Sequence, residues 1–352
     1  MNALRSFMCA VALVTSASQL QAQARPVLLV HGFSSGPGTW DNVRSILSSE
    51  TGFTFPNPVT LSASQPIPYQ ANQLLVYKNG GSYGPNAIFV GHSQGGLVSR
   101  YAHRTDSVSG LVTIGTPHAG ADIAGSVGTF ATYLLEAAVA SGSVAYLSDL
   151  DTFDEHYLTA QSAMSHALSA QALFLAVTDV ALFWIFSDNA ALNDMTPGSA
   201  LLSGALGINT NPGLEKIGAR HAIASVIDGG YDGGPARLFL NAQDSEAVGE
   251  DLLLWAYQLE SDGLDLWNIT GGWHVIAVFG LLDLSALIGN FAGFWHYDVV
   301  GGIPNDVVVP AGSALALPNF NTTWQITGPS HFDETKFVAG AEAIRLRLRL
   351  IL

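Results

Sequence analysis

Apolar residues gather along the chain in short unbroken runs that end in glycine-rich turns, and amphipathic stretches separate the runs. Unbroken runs suit strands covered on both faces, whereas strict alternation would mark a sheet with one wet face. The predicted strands are Val27 to Val30 (VLLV), Ala87 to Val90 (AIFV), Leu111 to Ile114 (LVTI), Ala222 to Ile227 (AIASVI) and Val307 to Val309 (VVV). Helical patterns lie between them. WDNVRSIL begins at Trp40, and QGGLVSRYAHR from Gln94 puts Leu97, Val98, Tyr101 and Ala102 on one stripe with Arg100 and Arg104 on another face. Glu334 to Leu350 reads as a closing helix. Strands that alternate with helices predict an α/β fold with a mostly parallel central sheet flanked by helices.

Two strongly apolar insertions interrupt this rhythm, at about 121–220 and 229–297. The first contains Ala172 to Phe186 and the second Trp273 to Trp295, each near membrane-spanning length, but each carries an internal aspartate, Asp179 or Asp283, and neither has basic flanks. Buried helices, or helices that form a cap over an active site, are the better expectation, with apolar surface partly exposed to lipid. Residues 25–352 are accordingly expected to form one domain with two cap insertions. The first 24 residues combine Arg5, an apolar run from Phe7 to Val14 and the tail Ala22-Gln23-Ala24, which reads as a signal peptide cleaved after Ala24. An exported chain is therefore expected. Cleavage would remove Cys9, the one cysteine, and with it any disulfide or thiol nucleophile.

Composition narrows the chemistry. Hydrophobic residues make up 48% of the chain and charged residues only 12%, so either the interior is very apolar or the surface is unusually uncharged. Acids outnumber bases 28 to 13, which leaves no phosphate-neutralising basic face and excludes nucleic acid as a partner. No His, Asp and Glu spacing demands a metal, and nothing points to a cofactor.

Three serines fit the pattern G-x-S-x-G: Ser34, Ser82 and Ser93. A nucleophile elbow needs a strand, a one-residue strained turn and an immediate helix, which together lift the hydroxyl clear of the sheet. Ser34 follows a strand, but GPG comes next and no helix can start there. Ser82 sits in KNGGSYGPN among turn residues. Ser93 alone has the context, with AIFVGH before it and QGGLVSRYAHR after it. Serine also needs a histidine base oriented by a carboxylate. Asp306 in NDVVVP is the expected acid, with Asp298 and Asp228 as alternatives. His331 in GPSHFDE is the expected base, with His296 as its alternative, and His92 is expected to pack beside the elbow.

VLLVHGF, VGHSQGG, IGTPHAG, NDVVVP and SHFDE together resemble the ordered signature of the α/β-hydrolase superfamily, in its secreted triacylglycerol lipase and esterase branch. MTPGSALLSGAL, from Met195, resembles a Pro-Gly-Ser segment that follows the cap in those lipases. The resemblance implies Ser93 as nucleophile, Asp306 as acid and His331 as base, with an oxyanion hole formed by the backbone N–H groups of Gln94 and Phe33. It departs from the pattern at Val307, where the family usually has glycine. The implied activity is hydrolysis of lipid or other apolar acyl esters, at a lipid–water interface or away from one. Polyester cleavage and acyl transfer could use the same residues, and a catalytically silent lipid binder is the competing class.

Overall fold

The computed structural model describes residues 24–33, 35–126, 190–226, 258, 260–262, 264, 282, 285–286, 306, 308–331 and 333–352. Residues 1–23 of the expected leader, Ser34, most of both insertions, Asp228, His296 and Asp298 lie outside them. Among the described residues six strands form one sheet: Arg25–Val30 (β1), Phe53–Thr54 (β2), Ile88–His92 (β3), Val108–Ile114 (β4), Ile217–Val226 (β5) and Thr322–Thr327 (β6). Their order is β2-β1-β3-β4-β5-β6, and every neighbouring pair is parallel.

Period-two alternation of side chains explains why the central strands carry no polar face. Leu28 and Val30 of β1, Phe89 of β3 and Leu111 of β4 point to one side. There they meet Leu74 of α2 (Ile67–Gly80) and Leu97 and Val98 of α3 (Gln94–Ala102). Val27, Leu29, Ile88, Val90 and Val112 point to the other side. That face is covered by Val43 and Leu47 of α1 (Asp41–Leu47) and by the C-terminal helix Val338–Arg349, through Ile344 and Leu348. Both faces are dry, so each strand reads as a continuous apolar run.

Four departures from the sequence reading have physical causes. β6 was not predicted because, among the described residues, it is an edge strand: TTWQIT alternates, only Ile326 is buried, and Trp324 lies half exposed under the Arg347 guanidinium, 4.8 Å from its ring centre. β5 begins at Ile217, five residues before the predicted start and inside the expected first insertion. Val308 and Val309 form a bend instead of a strand, since the Asp306 carboxylate takes both of their N–H groups. The closing helix starts at Val338, so Glu334 precedes it.

Arg100, which the helical pattern places on a face away from the apolar stripe, is fully buried. Glu215, 115 positions away, accepts from its Nε and Nη2 at 3.2 and 2.9 Å, and Arg220 Nη1 reaches the second Glu215 oxygen at 2.9 Å. Arg100 Nη2 also donates to the Ile208 carbonyl. Leaving one member of a buried ion group unpaired costs about 3–5 kcal/mol, so this group ties α3 to β5 and to the segment before it.

Candidate active site

The turn between β3 and α3 is built by the residues around Ser93. Ser93 has φ 54° and ψ −132°, a backbone state that costs an L residue on the order of 1–3 kcal/mol and persists only where its surroundings impose it. The surroundings are tight. A Cβ on Gly91 would lie 2.6 Å from the Gly96 backbone, and one on Gly95 would lie 2.3 Å from the Val30 carbonyl oxygen. Glycine at both positions therefore lets α3 start directly against the ends of β1 and β3. The Ser93 N–H donates to the Ile114 carbonyl at 3.0 Å, which anchors the turn to β4.

Ser93, Asp306 and His331 come together from three separate loops. His331 Nε2 is 2.8 Å from Ser93 Oγ, and His331 Nδ1 is 2.8 Å from Asp306 Oδ2. The other Asp306 oxygen accepts from the N–H groups of Val308 at 3.0 Å and Val309 at 2.7 Å. The His331 N–H donates to the Asp306 backbone carbonyl at 2.9 Å, so the acid and base loops are joined by main chain as well as by side chains. All three side chains are buried.

An apolar cavity adjoins Ser93 and His331. Phe33, Pro117, Ile123, Leu192, Met195 and Val308 line it among others. Leu192 and Met195 lie on Ala190–Met195, so the segment just before the Pro-Gly-Ser motif forms one wall. Of the two N–H groups that the resemblance assigns to the oxyanion hole, that of Gln94 opens helix α3 beside Ser93, where the helix dipole favours negative charge. Phe33 borders the same cavity.

Glu334 is a residue that sequence reasoning missed, because it reads as the first residue of the closing helix. It is fully buried beside Asp306 and His92, and Gly115, at φ 56°, makes the space for it: a Cβ there would fall 2.1 Å from a Glu334 oxygen. Glu334 Oε2 lies 3.2 Å from His92 Nε2, which also reaches the His331 carbonyl oxygen at 2.9 Å. That contact is not an ion pair. Burial, followed by the neighbouring His331 ring, pushes the His92 imidazole down to about 3. Burial, reinforced by the Asp306 charge and partly opposed by a backbone bond from Ser225, holds the Glu334 carboxyl well above the usual carboxylate range.

A carboxyl raised in the fold binds its proton more tightly there than in the unfolded chain. Its contribution is fully present below the ordinary carboxyl value and is lost as the pH rises toward the raised one. Glu334→Gln keeps the shape without the ionisation. It is expected to melt with the parent near pH 4 and above it at pH 8 to 9, as read by thermal unfolding across pH. A variant that melts lower at every pH would mean that the fold holds Glu334 charged.

Among the described residues, His92, His331 and Glu334 bring three ligating atoms within 4.8 Å of one another. Both His331 ring nitrogens are already engaged, with Ser93 and Asp306, so neither is left to hold a metal.

A six-stranded parallel sheet, helices on both faces, and a strained serine between a central strand and its helix define an α/β-hydrolase fold. No protein-family model matches the chain. It is similar to a triacylglycerol lipase from Burkholderia plantarii, 32% identical over 129 residues that cover 33% of this chain and 36% of that protein. A triacylglycerol lipase from Pseudarthrobacter phenanthrenivorans is 33% identical over 111 residues, covering 28% and 35%. The matched region spans about a third of the length of these curated relatives. Among solved structures, a metagenomic carboxyl esterase aligns over 94% of this chain and 77% of its own at 11% identity, with a TM-score of 0.45. An esterase from Thermogutta terrifontis aligns over 93% and 90% at 14% identity, with a TM-score of 0.38.

Proposed function

We propose that the chain is a secreted carboxylic-ester hydrolase that cleaves lipid or other apolar acyl esters through an acyl-serine intermediate. The unbroken path from Ser93 Oγ through His331 to Asp306, opening on an apolar cavity, carries this reading. Ser93 Oγ attacks the ester carbonyl as its proton passes to His331 Nε2. The carbonyl oxygen becomes an oxyanion facing the N–H groups of Gln94 and Phe33, each worth roughly 3–4 kcal/mol to the transition state. The tetrahedral intermediate then collapses, and the alkoxide leaves with the proton from His331. Water enters, gives a proton to His331, attacks the acyl carbon and releases the carboxylic acid, restoring Ser93. Asp306 keeps Nδ1–H pointed away from Ser93 and stabilises the imidazolium formed in each half-reaction.

The apolar lining favours acyl chains over charged acids, and the lipase names of the sequence relatives support the same substrate class. The leader-like first 24 residues support export. Among the described residues no helix is long and apolar enough to cross a membrane. The test is hydrolysis of p-nitrophenyl esters from acetate to palmitate, and of triglyceride below and above its solubility limit. Turnover that rises with acyl length and jumps on emulsification is the expected result for a lipase. Absence of turnover on every ester, together with no labelling by a fluorophosphonate, would overturn the reading.

A further inference from the structure

The segment after β1 holds a histidine that the mechanism above does not use. His31 is buried, one residue beyond the end of the strand, and both of its ring nitrogens have partners that fix their roles. Nδ1 lies 3.0 Å from the Gly32 carbonyl oxygen, which can only accept, so Nδ1 carries the hydrogen. Nε2 lies 3.0 Å from the Leu61 backbone nitrogen, which can only donate, so Nε2 is bare. One neutral tautomer satisfies both contacts, and burial, against the pull of the Gly32 bond, holds the imidazole below its ordinary value. Leu61 is itself fixed beside β1, because the Val59 N–H donates to the Leu29 carbonyl at 3.2 Å.

The Gly32 carbonyl and the Phe33 N–H belong to one peptide unit. In a trans peptide they point in opposite directions, and no described peptide bond is cis. Holding the carbonyl toward His31 therefore turns the N–H away from it. This peptide abuts the serine: a Cβ on Gly32 would lie 2.6 Å from Ser93 Cβ and 3.2 Å from Ser93 Oγ. Phe33 lines the cavity that Ser93 opens into.

We propose that His31 is a positioning residue for the oxyanion hole: its Nδ1–H clamps the Gly32 carbonyl and so aims the Phe33 N–H at the oxygen that gains charge when Ser93 attacks. The inference rests on the ester-hydrolase reading. Loop 59–61 is the backstop, since the Leu61 N–H holds the ring in the rotamer that reaches Gly32. The clamp acts on the transition state more than on the bound substrate, because the ester carbonyl gains its charge only as Ser93 bonds to it.

Two substitutions separate the two ring contacts. Asn at position 31 places an amide N–H near the site of Nδ1 and loses the acceptor for Leu61. Gln places a carbonyl near the site of Nε2 and loses the donor to Gly32. Turnover of the unchanged chain and its Ser93-dependent labelling test the hydrolase reading first. The variants are then compared with it, each rate normalised to the folded, labelled fraction.

His31→Gln is expected to lose about 100-fold in kcat, the scale of a misplaced catalytic group, with KM little changed and fluorophosphonate labelling slowed to match. His31→Asn is expected to keep kcat within about threefold, the clamp donor being retained, while melting at a lower temperature for want of the Leu61 tie. Equal kcat in the two variants, or loss in Asn with retention in Gln, would overturn the clamp while leaving Ser93 hydrolysis standing. If His31→Gln does not fold, a folded His31→Asn that has lost turnover overturns it alone.

Discussion

Ser93→Ala is expected to lower ester turnover by roughly 10⁶-fold, the scale seen when a serine nucleophile is deleted from a working triad, and to abolish fluorophosphonate labelling. Ser82→Ala is expected to leave both within about twofold of the unchanged chain, as for a surface substitution away from the chemistry, and Ser34→Ala is expected to do the same because the GPG that follows it leaves no helix to complete an elbow. The contrast at Ser82 is informative because its backbone is also in a positive-φ state, at 55°. Conformation alone does not make a nucleophile. Ser82 is exposed in the turn after α2, with its N–H tied to the Asn79 carbonyl, whereas Ser93 sits at the mouth of an apolar cavity with His331 Nε2 at 2.8 Å. Steady-state hydrolysis and gel fluorescence of the labelled chain check all three variants. Labelling that survives Ser93→Ala would transfer the nucleophile elsewhere.

What the sequence displayed and what it hid divide along physical lines. The runs Val27–Val30, Ile88–Val90 and Leu111–Ile114 of β1, β3 and β4 were legible because both of their faces are buried, so each position in them is apolar or small. The elbow was legible because its close contacts demand glycine at Gly91 and Gly95 on either side of a serine, between a strand pattern and a helix pattern. Residues whose meaning depends on a distant partner were not legible. Arg100 reads only as a charge off the apolar stripe until Glu215 is placed against it, and Glu334 reads as a helix residue until Gly115 opens a space for it. The run VVV shows the opposite failure. Its β-branched residues favour a strand, but Asp306 removes the N–H groups that a ladder would need. The edge strand β6 was lost because half-exposed positions there tolerate Thr, Trp and Gln.

Asp306→Asn is expected to cut kcat by about 10⁴-fold with the fold intact, and the local hydrogen bonds explain both parts. One Asp306 oxygen accepts from the N–H groups of Val308 and Val309, and the other faces His331 Nδ1. Asn has a single acceptor oxygen, and two backbone donors claim it, so the bend at Val308 and Val309 survives. The amide NH₂ is then left opposite His331 Nδ1, donor against donor. His331 escapes by moving its hydrogen to Nε2, the nitrogen that must be bare to take the proton from Ser93. Base function is thus lost through the tautomer, and the negative charge that would steady the imidazolium is lost with it. Thermal unfolding should place the variant close to the unchanged chain, while pre-steady-state acylation slows by the same factor as turnover. Full activity in Asp306→Asn would shift the acid to Asp298.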